Sequence, residues 1–483
     1  MTTPSSARSF AKKHFGHAEL GDKRRNAALV EIVAGLALNP AGKISKVFPT
    51  SAARERAYRF VENAAIQGVA IIRAAASTVA DAINRSATAY VVIDGSSLNL
   101  ADPRGKKDFG QVGTNNKGAR GLKVITAYAV SSASIPLGVL WQEFWARRKR
   151  TRRGRKSSDN RRREAHEKET QRWLDVVREA ASRVNAAKAW FLVDREGDSR
   201  LMLQALTELS VRFTVRSSWN RLLVGGTGGR RHYLRSVMAK APVVGSYRVE
   251  VPAVHQRAAR VARMSVRSKR VTLLLRDRRH GKSTALELNV VWAREVGTPP
   301  HGEKPLDWML FTNAPVATAR DCLAVIRSYQ ARWRIEDFHK AWKSGRCCVE
   351  DTQLHSMRAA IIFAVMHATV AARAERLKHT SRATPDVPAA TEFSSAERKA
   401  IALIAYDLLN QPLAPGGRRQ SKEVPPDEKT MTLGQAVLWI ARLGGYTGKS
   451  SGGPPGTIVI GRGLDYIAGA AHVLEAASFK KRK

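Results

Sequence analysis

Two apolar segments that each end in an aspartate constrain the fold more than any other feature of this chain. AYVVID ends at Asp94, and AWFLVD ends at Asp194. Continuous apolar runs of this length are typical of strands buried on both faces of a largely parallel sheet. They predict an α/β fold in which each carboxylate lies at the end of a buried strand, with its backbone fixed by the core.

Helical patterns lie on both sides of this strand-rich region. Apolar residues recur at helical spacing within residues 1–85 and again in most of the chain after residue 386. Period-two alternation through about 220–305 predicts a β-rich insertion. We therefore expect a helical N-terminal domain (1–85), a central α/β domain (86–385) that carries the insertion, and a helical C-terminal region (386–483).

The charge balance indicates an anionic partner. The chain has 82 basic and 41 acidic side chains, a net charge of +41, and residues 147–163 are almost purely cationic. Because each phosphate neutralised by Lys or Arg releases counterions, nucleic acid is the partner that this charge favours. A membrane surface is the alternative, but the apolar run at 359–372 is too short to span a bilayer and predicts a buried helix.

Other common sites lack the spacing they need. The three cysteines form no disulfide framework, which favours a reducing cytoplasm, and no apolar leader precedes the first domain. Zinc bound by Cys347, Cys348 and His355 is disfavoured, because paired CxxC spacing is missing. The GKS at 281–283 is no phosphate loop, since Arg276 stands where that motif needs glycine.

One helical segment, residues 329–343, places four functional side chains on one stripe. At 100° per residue, offsets of 3, 7 and 14 from Tyr329 fall at about 300°, 340° and 320°. The residues on this stripe are Tyr329, Arg332, Glu336 and Lys343. A solvated helix face with an Arg332–Glu336 ion pair is the simpler interpretation. Trp333 and Trp342 nearby favour a helix packed on its other sides.

The spacing of this stripe resembles that of a known family. In this pattern two residues separate Tyr from Arg, three separate Arg from Glu, and six separate Glu from Lys. The same spacing is typical of the DDE-class insertion-sequence transposases of the hairpin-forming type. The resemblance extends along most of the chain, through ELGDKRR, RAYRFVEN, VIDGSSL, LVDREGD, PLDWMLFTNAP and WIARLGGY. This chain departs from the pattern at Gly95, directly after the first Asp, and at the Cys347–Cys348 pair.

The resemblance implies a fold and a metal site. It implies a ribonuclease-H-like catalytic core with a β-rich insertion, an N-terminal domain that recognises DNA ends, and a C-terminal region used for dimerisation. Asp94, Asp194 and Glu336 would be catalytic and would hold two Mg²⁺, for which Mn²⁺ can substitute. Three acidic ligands suit two divalent ions, since neutral ligands would balance the ions' charge less well.

The resemblance also implies a DNA-binding set and a reaction. Tyr329, Arg332, Lys343 and Arg216 would hold phosphates near the scissile bond, and Trp308 would receive a flipped base. The implied activity is cut-and-paste transposition by a homodimer on double-stranded transposon ends and target DNA. It would proceed through hairpin ends, in the bacterial cytoplasm near the nucleoid and without a membrane. The alternatives are a DNA-binding derivative without catalysis and a ribonuclease-H-like nuclease.

The charge surplus generates a first prediction. If several Lys and Arg side chains contact phosphates, log K for DNA should fall with log salt at a slope of about −0.9 per contact. Fluorescence anisotropy with labelled duplex DNA across a salt series measures this slope. A flat salt dependence would remove nucleic acid as the main partner.

Overall fold

Twelve strands form one mixed sheet with helices packed against it. The computed structural model describes residues 4–113, 118–147, 169–225, 231–251, 258–277, 281–410, 424–448 and 453–480. Most of the cationic segment 147–163 and the KKRK end therefore lie outside the described residues. The architecture is mixed α/β.

Five helices occupy the N-terminal part of the chain. They are α1 (Pro4–Phe15), α2 (Lys23–Leu38), α3 (Ile44–Val47), α4 (Ser51–Glu62) and α5 (Gly68–Arg85). The Asp22 carboxylate accepts a hydrogen bond from the Arg24 amide at 2.7 Å and so caps α2. The Thr50 hydroxyl caps α4 in the same way. These side chains satisfy amides that a helix start leaves without partners.

Five long strands lie side by side in the order β4-β3-β1-β5-β6. Their bounds are β1 (Ala89–Asn99), β3 (Arg120–Ser131), β4 (Pro136–Trp145), β5 (Ala189–Val193) and β6 (Arg212–Arg216), with the short β2 (Gly110–Gln111) beside β3. β1, β3 and β4 pair antiparallel, whereas β5 and β6 run parallel to β1. β5 is buried along its whole length, as its apolar sequence predicts.

Two helices, α6 (Glu169–Ala181) and α7 (Arg200–Glu208), connect these strands. Trp173 of α6 packs against Gly95 of β1. A Cβ atom at Gly95 would lie 3.0 Å from the Trp173 ring, closer than ordinary van der Waals contact. The glycine that follows Asp94 is therefore matched in this chain by a tryptophan that fills the space.

The insertion extends the sheet beyond β6. It contains β7 (Leu222–Leu223), β8 (His232–Tyr233), α8 (Leu234–Lys240), β9 (Val243–Val251), β10 (Arg260–Arg276) and β11 (Ser283–Glu295). The chain returns through β12 (Asp307–Thr312), which pairs antiparallel with both β11 and β6. The insertion thus enters and leaves the central sheet at neighbouring strands.

The segment after β12 is not one continuous helix. α9 (Ala319–Gln330) and α10 (Arg334–Lys343) are separated by a 3-10 turn, Ala331–Trp333. The Ala331 amide there faces the carbonyl oxygens of Arg327, Ser328 and Tyr329, because the backbone tightens. The predicted uniform 100° rotation is therefore wrong at this turn. α10 stacks on the sheet through the rings of Phe338 and Tyr128, whose centroids are 4.7 Å apart.

A long buried helix and three further helices complete the described chain. They are α11 (Met357–Ala383), α12 (Ser395–Asn410), α13 (Leu433–Leu443) and α14 (Thr457–Lys480). α11 contains the predicted apolar run but is longer than that run. By length and composition it could cross a membrane, yet 78% of its most apolar window is buried inside the protein. This burial is typical of a core helix.

His339 of α10 generates a prediction about acid stability. Burial lowers the pKa of this imidazole from 6.5 to about 3, and its Nε2 has no hydrogen-bond partner among the described residues. Below pH 6.5 the imidazole is protonated in the unfolded chain but stays neutral in the folded chain. The free energy of unfolding therefore decreases as the pH falls from 6.5 toward 3.

His339→Leu should therefore flatten the fall of the thermal unfolding midpoint between pH 7 and pH 5. His355→Leu, at an exposed histidine, is the matched control and should keep the wild-type slope. Scanning calorimetry at both pH values provides the comparison. Equal slopes for the wild type and His339→Leu would show that His339 is protonated in the folded protein.

Candidate active site

The parallel pairing of β1 with β5 brings two aspartates together. Ile93 is in register with Val193, so Asp94 and Asp194 follow as neighbours where the pairing of β1 with β5 stops. Asp194 lies directly after the end of β5, whereas Asp94 lies within β1, opposite Thr126 of β3, so the expectation that Asp94 ends its strand is wrong. Their side chains are 14% and 20% exposed. Each carboxylate accepts a hydrogen bond from the backbone amide of the next residue, at 2.9 Å for Asp94 and 2.6 Å for Asp194. Both orientations are thus fixed locally.

Arg332 joins these aspartates to Glu336. Its Nη1 lies 3.4 Å from Asp94 Oδ2 and 3.8 Å from Asp194 Oδ2, and its Nη2 donates to Glu336 Oε1 at 2.9 Å. The Arg332 side chain is only 5% exposed, whereas that of Glu336 is 46% exposed. One buried guanidinium therefore faces three carboxylates that come from β1, β5 and α10.

Tyr329 closes one side of this cluster. Its hydroxyl donates to Asp194 Oδ1 at 3.0 Å, and burial raises the pKa of the phenol well above its ordinary value. The Trp308 ring lies edge-on to the Tyr329 ring, with centroids 6.4 Å apart. The tryptophan predicted to receive a base is thus adjacent to Tyr329, which itself bonds Asp194, and is partly buried.

The electrostatics of Asp94 suit a cation. Burial raises the pKa of its carboxyl to about 7; Arg332 opposes this shift, while Asp194 and Glu336 add to it. One guanidinium leaves about two negative charges of the three carboxylates without a match. The residues therefore fit divalent ions by charge and by ligand type, since hard cations prefer carboxylate oxygens.

The remaining predicted residues lie at the edge of the cluster. Lys343 lies on the same helix as Glu336, and its Nζ is 3.6 Å from Glu350 Oε1. Arg216 ends β6, and its Nη2 donates to the Asp307 carbonyl oxygen at 3.3 Å. Neither side chain contacts the three carboxylates directly.

A second acidic group lies beside the first. Asp337, Glu375 and His379 offer ligand atoms that all lie within 4.8 Å of one another, so they could hold a metal ion. The carboxylates around Arg332 are spread more widely and form no group this tight. However, Lys378 Nζ lies 2.5 Å from Glu375 Oε2 and 3.5 Å from Asp337 Oδ2, so an ammonium already occupies the place of a cation.

Sequence reasoning missed this second group. Its signal was the Glu375-x-x-Lys378-His379 run, which follows the apolar run at 359–372 on the same helix. Charged residues are seldom fully buried unless they are paired, so charges in a buried helix predict partners on neighbouring elements.

The cysteines take no part in either group. Cys347 is fully buried, and burial raises its thiol pKa to about 12. Cys348 adopts a left-handed backbone with φ of 47°. All three cysteines are free.

A basic groove lies in the N-terminal helices. It has a volume of about 380 Å³ between α2 and α4. The basic residues that line it are Arg24, Arg25, Arg56 and Arg59. Glu55 pairs with Arg59 and offsets its charge, but the arginines still outnumber this one glutamate, so the groove is cationic. This surface suits a nucleic-acid backbone.

Known proteins resemble parts of this chain. Residues 7–66 match the family model described as Transposase DNA-binding. The chain also matches a cryo-EM structure of the piggyBac transposase synaptic complex with hairpin DNA. That match has 10% sequence identity over 88% of this chain and 89% of the other, with a TM-score of 0.35, too low to establish a common fold. The helices that form the basic groove lie within the segment that matches this DNA-binding family model.

Proposed function

We propose that this protein is a cut-and-paste DNA transposase of the hairpin-forming DDE class. The observation that carries the proposal is the meeting of Asp94, Asp194 and Glu336 around Arg332. Three chain segments far apart in sequence supply these carboxylates, at the edge of a sheet whose strands are buried. The match of residues 7–66 supports a transposase function independently of this cluster.

The order of the central strands supports a ribonuclease-H-like core. Three antiparallel strands followed by two strands parallel to the first, in the order β4-β3-β1-β5-β6, suit that fold. The finer resemblance, to the transposase of the kanamycin-resistance composite transposon number five, is part of the proposal and rests on the stripe from Tyr329 to Lys343.

The three carboxylates would hold two Mg²⁺, which activate the attacking hydroxyl and stabilise the leaving oxygen of an in-line displacement. Arg332 offsets part of the charge of these carboxylates and has donors that match a phosphate. Tyr329 lies beside it, with the Arg332 guanidinium 5.9 Å from the Tyr329 ring centre, and Lys343 would hold a phosphate farther along α10. The chain's own contribution is therefore to hold a DNA phosphate against the carboxylate cluster while core packing keeps the strand ends fixed.

Trp308 suits the hairpin step. A tight DNA turn displaces a base and costs a few kcal/mol of stacking, which an aromatic surface can offset. Trp308 lies beside Tyr329, so only the Tyr329 ring separates it from the carboxylate cluster. We propose that the reaction runs from nicking at a transposon end, through a hairpin and its opening, to joining with target DNA by a homodimer.

Two other functions fit parts of the same chain. A DNA-binding derivative without catalysis would need none of the three carboxylates, whereas all three are present and held together. A ribonuclease-H-like nuclease would share the cluster but has no need of the Tyr329–Lys343 stripe or of joined products. An assay for joined DNA separates a nuclease from a transposase. The proposed location is the bacterial cytoplasm, near the nucleoid.

Asp94→Asn tests the cluster in the absence of ions. The folded pKa of about 7 exceeds the ordinary 3.8, so Asp94 removes stability as the pH rises from about 4 to about 7. At pH 8 in chelator, Asp94→Asn should therefore unfold at a higher temperature than the wild type. Added Mn²⁺ should raise the wild-type midpoint more than that of the variant.

Asp175→Asn, at a half-exposed aspartate of α6, is the control for Asp94→Asn. Its midpoint should differ little from that of the wild type at pH 8. A lower midpoint for Asp94→Asn in chelator would contradict the raised pKa, and an equal response to Mn²⁺ would contradict the role of Asp94 as a ligand.

A comparison of Glu336→Ala with Trp308→Ala separates chemistry from base stacking. Glu336→Ala should abolish nicking and hairpin formation together, while end binding by the N-terminal helices persists. Trp308→Ala should keep nicking but slow hairpin formation by roughly one to two orders of magnitude, from a stacking loss of about 1–3 kcal/mol. A gel time course that resolves nicked, hairpinned and fully cut ends measures both effects.

Trp219→Ala, which removes an indole that is 66% exposed, is the control for Trp308→Ala; Trp333 is unsuitable because its ring centre lies 5.1 Å from the Arg332 guanidinium. An abasic nucleotide at the flipped position should partly rescue Trp308→Ala, because it has no stacking to lose. Equal loss of nicking and hairpin formation in Trp308→Ala would assign that residue to the core. Normal nicking by Glu336→Ala would overturn the catalytic proposal.

A further inference from the structure

A buried ionic network lies directly behind Glu336. Asp337, the next residue on α10, has its Oδ2 3.3 Å from His379 Nε2 and 3.5 Å from Lys378 Nζ. The side chains of Lys378 and His379 are 7% and 6% exposed, whereas that of Asp337 is 41% exposed, so the network is buried on the long helix α11 and reaches solvent at α10. Asp337 therefore ties the helix that carries Glu336 to α11.

Glu375 extends this network to the C-terminal helix. Its side chain is 1% exposed, and its Oε2 lies 2.5 Å from Lys378 Nζ. Its other oxygen, Oε1, accepts a hydrogen bond from the hydroxyl of Thr457 at 2.5 Å. Thr457 is the first residue of α14. A continuous path of polar contacts thus runs from α14 through α11 to α10.

Arg346 forms a second tie between the same regions. It lies three residues after the end of α10, and its side chain is 5% exposed. Its Nη1 donates to the Gly461 carbonyl oxygen and to Asp465 Oδ2, both at 2.7 Å. A Cβ atom at Gly461 would lie 2.7 Å from the Arg346 Cδ, so the glycine gives this guanidinium its room.

These ties matter because α10 is short and Glu336 is weakly held. α10 has ten residues, begins directly after a 3-10 turn and is followed by the left-handed Cys348. Glu336 itself has one direct ion-pair partner among the described residues, Arg332. The rotation of α10 about its axis therefore sets where this carboxylate lies relative to Asp94 and Asp194.

We propose that α14 positions Glu336, through Thr457 and Glu375 on one path and through Arg346 on the other. The inference rests on the proposed function, because it concerns a carboxylate assigned there to metal binding. Thr457, Glu375, Lys378, Asp465 and Arg346 act as positioning residues and touch neither metal nor DNA. The C-terminal region thereby governs the affinity of the active site for its ions.

A metal ion at Asp337, Glu375 and His379 is the competing interpretation of the same network. The ammonium of Lys378 lies between the two carboxylates, and Arg334 Nη1 is 3.8 Å from Asp337 Oδ2. A divalent ion there would have to displace one cation and approach another. The charges on the network are already matched without it, so we assign it to ion pairs.

The test loosens α14 without touching the carboxylate cluster. Thr457→Val removes the hydroxyl but keeps the shape of the side chain, and Asp465→Asn removes the charge that faces Arg346. Thr457→Ser keeps the hydroxyl and is the conservative rescue. Arg462→Gln removes one charge from an exposed position on the same helix and is the matched control.

Two readouts separate positioning from general stability. Electron paramagnetic resonance titration of the full chain gives the dissociation constant for Mn²⁺, and hydrogen exchange gives the protection of the α10 amides. In the Thr457→Val, Asp465→Asn double variant we expect Mn²⁺ to bind about threefold to tenfold more weakly, less than the ~10–100-fold loss typical of groups that bond a ligand directly. Protection of α10 should fall at a temperature well below the unfolding midpoint, while DNA-end binding changes little. The midpoint itself should fall somewhat, because both substitutions leave a buried charge with fewer partners.

Each outcome identifies what has failed. Wild-type Mn²⁺ affinity and α10 protection in the double variant would overturn the inference alone. The inference would also be wrong if His379→Asn lost Mn²⁺ binding while Glu336→Gln kept it, because the ion would then lie in the network. Two other results would instead count against the proposed function. One is that the wild-type chain binds no Mn²⁺. The other is that Glu336→Gln and His379→Asn both bind Mn²⁺ as the wild type does.

Discussion

The contact of one buried guanidinium with three carboxylates is the interaction on which the rest of the site depends. Like charges this close repel strongly where water is scarce, and Arg332 reduces that repulsion without removing it. The sheet can therefore keep Asp94 within β1 and Asp194 at the end of β5 as neighbours. The remaining negative charge leaves the cluster prepared for ions rather than satisfied by the protein.

The balance of buried charge differs between two neighbouring clusters, one around Arg332 and one around Lys378. Around Arg332 the acidic charge exceeds the basic charge, and the pKa of Asp94 rises. Around Lys378 the charges match, and the pKa of Asp337 is lowered to about 2: burial would raise it, but His379 and Lys378 more than offset that effect. Adjacent residues of α10 thus belong to an unbalanced cluster and a balanced one. The first suits chemistry and the second suits anchoring.

Some of this arrangement could be predicted from the sequence because it depends on local patterns. Apolar runs that end at Asp94 and Asp194 predict strands and place the carboxylates at one edge. The 3-10 turn at Ala331–Trp333 leaves no such pattern, because it arises from how α9 and α10 pack on the sheet. The partners of this buried run were also hidden, because Asp337, which faces Lys378 and His379, and Thr457, which donates to Glu375, are distant in sequence and meet the run only after three helices have packed. Periodicity reports burial but does not report which buried charges face each other.

The insertion between β6 and β12 has a consequence for how this chain can change. Arg216 at the end of β6 is in register with Leu310 of β12, so about ninety intervening residues leave and rejoin the central sheet at almost the same point. Loop closure depends only weakly on loop length, and here the ends are held together by strand pairing. The outer strands can therefore lengthen, shorten or be exchanged with little effect on the edge that carries Asp94 and Asp194. The length of the insertion and the arrangement of the carboxylates can thus change independently within one continuous sheet.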